Sequence, residues 1–286
     1  MSKLKVLSPA QVKGFDEQGY ASPVRVMSAE DAAGYRARLE AFERSQGSAM
    51  KGGQRNKTYL LFRWAHEVLV HPKVLDAVED LIGPDIVVYH STTWIKESRA
   101  PGFVSWHQDS TYFGLEPHEQ VTAWVALSDA SVPAGCMRVL PKSHKLGQLP
   151  NDLKPDANNL LTSGQTVQLD FDENSTVSMP LQPGEMSLHH ACTVHGSGGN
   201  ASDDRRIGLC MHYVPAHVRP IDHLVRSRAL CSAMLVRGKR KHDLFPDERS
   251  PQADNDAAAI AEHAAGIASY RSMVGALGHL TAARLD

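Results

Sequence analysis

The chain has no continuous apolar run of roughly 18 residues, the minimum for a membrane-spanning helix. It opens Met1-Ser2-Lys3-Leu4-Lys5, without the apolar segment of a secretory leader, so the expectation is a soluble, cytoplasmic protein. Its four cysteines, Cys136, Cys192, Cys210 and Cys231, are scattered and form no Cys-x-x-Cys pair. That spacing argues against a disulfide framework and for buried thiols in a reducing cytoplasm. Charge of one sign is also lacking: 30 Lys and Arg stand against 32 Asp and Glu, a net charge of −2. Neither nucleic acid nor an anionic membrane is an expected partner. The densest basic run, Arg237-Gly238-Lys239-Arg240-Lys241-His242, reads as a solvated loop. There is no internal repeat, no sustained heptad, and no linker long enough to divide the chain. One domain over residues 1–286 is expected, with monomer and homodimer left open.

What is present changes period along the chain. Ser8-Pro9 and Ser28-Ala29-Glu30-Asp31 are helix starts, and residues 70–82 form an amphipathic stretch stopped by Gly83-Pro84. A helical flank is therefore expected over about residues 8–82, interrupted by a polar, glycine-bearing loop at 46–57. From Ile86 onward the runs turn β-rich: 86–96, 121–127, 137–140, 166–169, 186–188 and 207–214, separated by Pro/Gly turns. Many short strands so spaced indicate a mainly β sandwich or barrel over about residues 86–216. An alanine-rich helical tail at about 254–283 should pack outside it.

The chemistry-bearing stretch is Trp106-His107-Gln108-Asp109. With His195 it supplies two imidazoles and a carboxylate, the ligand set of a non-haem Fe(II) site with open positions. Alone it proves little, because 15 His and 19 Asp in 286 residues produce about one His-x-Asp by chance. Further along, Arg206-Ile207-Gly208-Leu209-Cys210-Met211-His212-Tyr213 reads as a strand. Alternation would place Arg206, Gly208, Cys210 and His212 on one face. An inward arginine near a metal requires an anion, and a metal-chelating dicarboxylate would satisfy it through bidentate pairing.

These residues carry a resemblance. Trp106-His107-Gln108-Asp109, Thr122-Ala123-Trp124-Val125-Ala126-Leu127, Gly135 through His144, and His195-Gly196-Ser197-Gly198 followed by Arg206 together resemble the phytanoyl-CoA dioxygenase family. The resemblance implies a double-stranded β-helix (jelly-roll) core and an Fe(II)- and 2-oxoglutarate-dependent dioxygenase that also consumes O2. It implies that His107, Asp109 and His195 bind iron. Arg206, Ser197 and Trp124 would hold 2-oxoglutarate, joined by Lys57 and Thr92. Family members that halogenate lack the carboxylate ligand, so Asp109 favours hydroxylation.

Tyr112, Phe113, His90 and His212 are candidate substrate-pocket residues, although core packing would account for them equally. Adjacent His189 and His190 face opposite ways in a strand, so one is expected buried and one exposed. The expected substrate is a small polar metabolite. The alternatives are a natural-product scaffold or acyl-CoA thioester under the same cofactors, or a jelly-roll metalloenzyme that uses no 2-oxoglutarate.

Overall fold

The computed structural model describes residues 3–161 and 163–278. Its core is a pair of antiparallel sheets with flanking helices, the jelly roll expected. The larger sheet runs, in spatial order, Tyr20–Arg25, Glu185–His190, Val121–Ala126, Arg206–Pro215, Ile86–Lys96 and Met234–Arg237. The smaller runs Val104–His107, His195–Ser197, Met137–Val139 and Val177–Met179. One cavity is bordered by residues of both sheets.

Side-chain alternation in the Arg206–Pro215 strand sorts the molecule into a core side and a cavity side. Ile207, Leu209, Met211 and Tyr213 enter the main apolar cluster with Val125, Leu188, Val74 and Val78. The last two come from the Pro72–Ile82 helix, which buries one stripe and ends at Gly83. On the other face, Arg206 pairs with Lys96, Gly208 with Trp94, Cys210 with Thr92 and His212 with His90. Directly paired residues project to the same side of a sheet, so this whole set turns toward the cavity.

The two expected N-terminal helices form, Pro9–Gln18 and Ala29–Gln46, each with a reciprocal capping box, Ser8 with Gln11 and Ser28 with Asp31. Between them lies a strand, Tyr20–Arg25, which Pro23 conceals in the sequence. It pairs on one side only, and an edge strand tolerates a missing backbone donor. The polar stretch at 46–57 contains a helical turn, Gly52–Arg55. The basic run at 237–242 is tied by ion pairs, Arg237 to Asp76 and Glu79, and Lys241 to Asp85.

Two expectations need correction. The C-terminal helix, Ala257–Leu277, does not simply cover the outside. Its Tyr270, Met273 and Val274 join Phe113, Leu115 and Val218 in a second apolar cluster. The expected tail beyond residue 278 lies outside the described residues. Lys57, expected at the co-substrate, is fully buried away from the cavity. Its Nζ lies 2.5 Å from Glu248 Oε1 and donates to the carbonyls of Tyr89 and Ser232. Glu248 also accepts from Tyr59 and Ser232.

This buried pair joins the first part of the chain to the segment before the last helix. Breaking one side leaves an uncompensated charge, which costs roughly 3–5 kcal/mol. Lys57→Met should lose about that much stability in urea denaturation, and Lys57→Met/Glu248→Gln should recover most of it. Equal losses in the two variants would show that the ion pair is not the source.

Candidate active site

His107 ends the Val104–His107 strand and His195 opens His195–Ser197. The two strands are neighbours, with His107 and His195 in direct register. Asp109 follows at the start of a short 3-10 turn, Asp109–Tyr112. The pairing thus brings residues 86 positions apart, Asp109 and His195, into one cluster. Donor atoms of all three lie within 4.8 Å of one another, and all three residues are buried. His107 Nδ1 donates to the Ser105 carbonyl at 2.8 Å and His195 Nδ1 to the Thr193 carbonyl at 2.9 Å. Those bonds fix the tautomer and leave both Nε2 lone pairs for a metal. Each Nε2 stands 3.7–3.8 Å from Asp109 Oδ1, too far for a hydrogen bond. Two neutral nitrogens and a carboxylate oxygen on one side of a space are the donors Fe(II) takes in such sites. The residues fit the metal.

The Asp109 carboxylate is divided between two tasks. Oδ1 faces the imidazoles, while Oδ2 accepts from Thr122 Oγ1 at 2.6 Å and His189 Nε2 at 3.1 Å. Thr122 also contacts His212 Nδ1 at 3.1 Å, which Gln120 meets at the same distance. Burial would raise the Asp109 carboxyl, but His195, His212 and His189 around it hold it well below the usual carboxylate range. Burial pushes both His107 and His195 below the ordinary imidazole value, which favours the neutral form that could serve as a metal donor. His189 is thus the buried member of its pair. His190 is half-buried rather than exposed, with its ring beside Phe15 and His144.

The cavity's far end is cationic. Arg206 is 3% exposed, donates to the Gly135 carbonyl, and lies 4.8 Å from the Trp124 ring centre. Its Nε is buried without a hydrogen-bond partner. Trp124 fits there because residue 208 is glycine, since a Cβ at that position would sit 1.9 Å from the indole. Ser197 borders the same end. By contrast Arg205 points away into ion pairs with Glu43 and Glu97.

Of the residues expected from sequence, His107, Asp109, His195, Arg206, Ser197, Trp124, Thr92, Tyr112, Phe113, His90 and His212 all border this one cavity, and Lys57 does not. Arg55, two residues earlier, supplies a cation to the wall instead. Among the described residues its side chain hydrogen-bonds only through Nε, to the Met50 carbonyl, and the nearby acids Glu43 and Glu97 are engaged by Arg205. Sequence reasoning also missed Asn56, whose Oδ1 lies 3.2 Å from His90 Nε2, and Tyr270, whose ring stacks on His90 at 4.3 Å. Only the polar composition of 46–57 marked the first. Nothing local marked the second.

Replacing Asp109 with alanine should abolish tight Fe(II) or Co(II) binding. Thr122→Val, which removes one of the two hydrogen bonds to Oδ2 and leaves His107, Asp109 and His195 in place, should weaken it by about 10–100-fold. Anaerobic metal titration checks both, and unchanged affinity in the Asp109 variant would remove that residue from the ligand set.

Comparison with known proteins adds the family. A family model described as Phytanoyl-CoA dioxygenase (PhyH) matches residues 15–208, a span that contains the three clustered residues and Arg206. The peroxisomal phytanoyl-CoA dioxygenase of Bos taurus is 30% identical over 160 residues, 53% of this chain and 46% of that protein. This chain therefore spans about half the length of that relative. A probable alpha-ketoglutarate-dependent hypophosphite dioxygenase of Stutzerimonas stutzeri is 30% identical over 186 residues, 63% of each chain. Among solved structures, the apo form of the non-heme monooxygenase ThoJ superposes with a TM-score of 0.82 at 28% identity, over 94% of this chain and 98% of that one. The chain is a member of the phytanoyl-CoA dioxygenase family of non-haem, 2-oxoglutarate-type oxygenases.

Proposed function

We propose that the protein is an Fe(II)- and 2-oxoglutarate-dependent dioxygenase that hydroxylates a C–H bond of a small polar metabolite. The observation that carries this reading is one cavity lined by a two-histidine, one-carboxylate cluster and, away from it, by a buried arginine that no carboxylate meets among the described residues. A dicarboxylate that chelates a metal through its 2-oxo acid end reaches both. Held by His107, Asp109 and His195, Fe(II) would supply O2 activation coupled to decarboxylation of 2-oxoglutarate to succinate and CO2, with one oxygen atom going to succinate and the other to the substrate hydroxyl.

The chain's own residues supply placement. His107, Asp109 and His195 line the cavity and would hold the metal there, leaving positions open for co-substrate and oxygen. Arg206 and Ser197 receive the distal carboxylate, and Trp124 keeps the guanidinium in plane and water away from it. Thr92 borders the path between the two ends. A jelly-roll enzyme that uses no dicarboxylate would have no need of Arg206, whose burial costs stability unless an anion arrives. The resemblance implies that halogenating members lack the carboxylate ligand, so the presence of Asp109 favours hydroxylation.

The substrate wall combines Phe113, Tyr112 and Tyr270 with polar His90, Asn56 and Arg55. The cavity volume is about 360 Å³, near the lower end of the ~300–1,000 Å³ typical of small-ligand sites. A whole acyl-CoA thioester would have to leave its nucleotide outside, which supports a small substrate with polar groups.

Anaerobic addition of Fe(II) and 2-oxoglutarate should produce a visible absorption band, and O2 should then release succinate. Stimulation by one class in a panel of small polar compounds would identify the substrate type. Arg206→Met should weaken 2-oxoglutarate binding by at least about 30-fold, the effect of losing one partner of a buried charge pair. No band and no succinate from iron-loaded protein would overturn the reading.

A further inference from the structure

Lys96 has a setting that its place at the end of a strand does not suggest. It is 2% exposed and stands directly across the sheet from Arg206. Its Nζ meets Ser197 Oγ at 2.7 Å and the Gly198 carbonyl. Among the described residues no carboxylate pairs with either cation. The groups facing Lys96 are Arg206 from the adjacent strand, Cys136 from the turn before Met137–Val139, and Ser197 with Gly198 from the opposite sheet. Burial pushes the Cys136 thiol up, so it offers no negative charge.

Like charges directly opposite in a sheet repel, and a buried cation without an anion is costly. A guanidinium does not give up its proton under ordinary conditions, whereas an amine does. We propose that Lys96 is a second, concealed cation of the co-substrate subsite, neutral when the subsite is empty and charged when a dicarboxylate fills it, so that co-substrate binding takes up a proton. This rests on Arg206 and Ser197 forming that subsite, as proposed above. Lys96 does not border the cavity itself and acts through Ser197, whose oxygen it holds. It is a positioning residue.

Burial, reinforced by Arg206, lowers the Lys96 amine to about 6, so near neutral pH the empty site holds the uncharged form. A carboxylate against Arg206 and Ser197 favours the ammonium and raises its pKa, with the proton drawn from solvent. Above about pH 6 that proton must be acquired, so affinity for the dicarboxylate falls as pH rises, by up to about tenfold per unit, until the pKa of the complex is passed.

The test is anaerobic calorimetric titration of the iron-loaded protein near pH 8, in buffers of different ionisation enthalpy. The probes are 2-oxoglutarate and 2-oxobutyrate, which has the same chelating end and no distal carboxylate. The expected result is uptake of about one proton with 2-oxoglutarate and none with 2-oxobutyrate. Lys96→Met should bind 2-oxoglutarate at least about tenfold more weakly and without uptake. The comparison of two ligands on the native protein stands even where that variant does not fold. Binding of 2-oxoglutarate without proton uptake, or equal uptake with both ligands, overturns the role of Lys96 alone. No binding of 2-oxoglutarate at all overturns the co-substrate reading and this proposal with it.

Discussion

The Arg206–Pro215 strand is bonded along both edges, to Ile86–Lys96 and to Val121–Ala126, and every one of its residues is buried. One face meets hydrocarbon and the other meets charge. A register slip of one residue would turn Arg206 and His212 into the core and expose Ile207 and Tyr213 to the cavity. The apolar face prevents that slip, because Leu209 and Met211 are packed among Val125, Leu188 and the Pro72–Ile82 helix. Hydrophobic packing on one side therefore holds the polar side in place, and the fold does not need ionic contacts to position Arg206.

The smaller sheet carries the metal-binding candidates on strands of only four and three residues, Val104–His107 and His195–Ser197. Such strands do not position side chains alone. The second nitrogen of each histidine is tied to a carbonyl two residues earlier, and Asp109 is tied across to Thr122 of the larger sheet and to His189. The aspartate thus links the two layers. Its carboxylate remains ionised in a buried place because hydrogen bonds and nearby imidazoles offset desolvation.

Long strands were legible in the sequence because alternation needs several residues to register. The stretch 207–214 showed both its faces, and the segregation of Arg206 from Ile207 follows from it. The short ligand-bearing strands showed no period and were found only through the order and spacing of their motifs. Lys57 misled because a cation near that position is what the resemblance suggested. A left-handed backbone at Lys57, φ 47°, follows the Gly52–Arg55 turn; Arg55 borders the cavity while Lys57 meets Glu248. Lys96 was invisible for another reason. A lysine closing a β-run reads as a solvated strand end, and only the pairing with Arg206 shows otherwise. Parity with His190 separated the two faces without saying which of the pair is buried, and the bond of His189 to Asp109 depends on a contact across 80 residues of chain.

The C-terminal helix closes the side of the cavity farthest in sequence from the metal cluster. Tyr270 stacks on His90, His263 bonds the Asn56 carbonyl, and Ser269 meets Ser232 beside Glu248. The hydrogen bonds of His263 and Ser269 run to Asn56 and Ser232 rather than to His107, Asp109 or His195. This part of the cavity wall is thus carried by a segment separate from the donor set, whereas Tyr112 and Phe113 line the cavity directly after Asp109. A lineage could revise the last helix, and with it one wall of the cavity, without altering His107, Asp109 or His195.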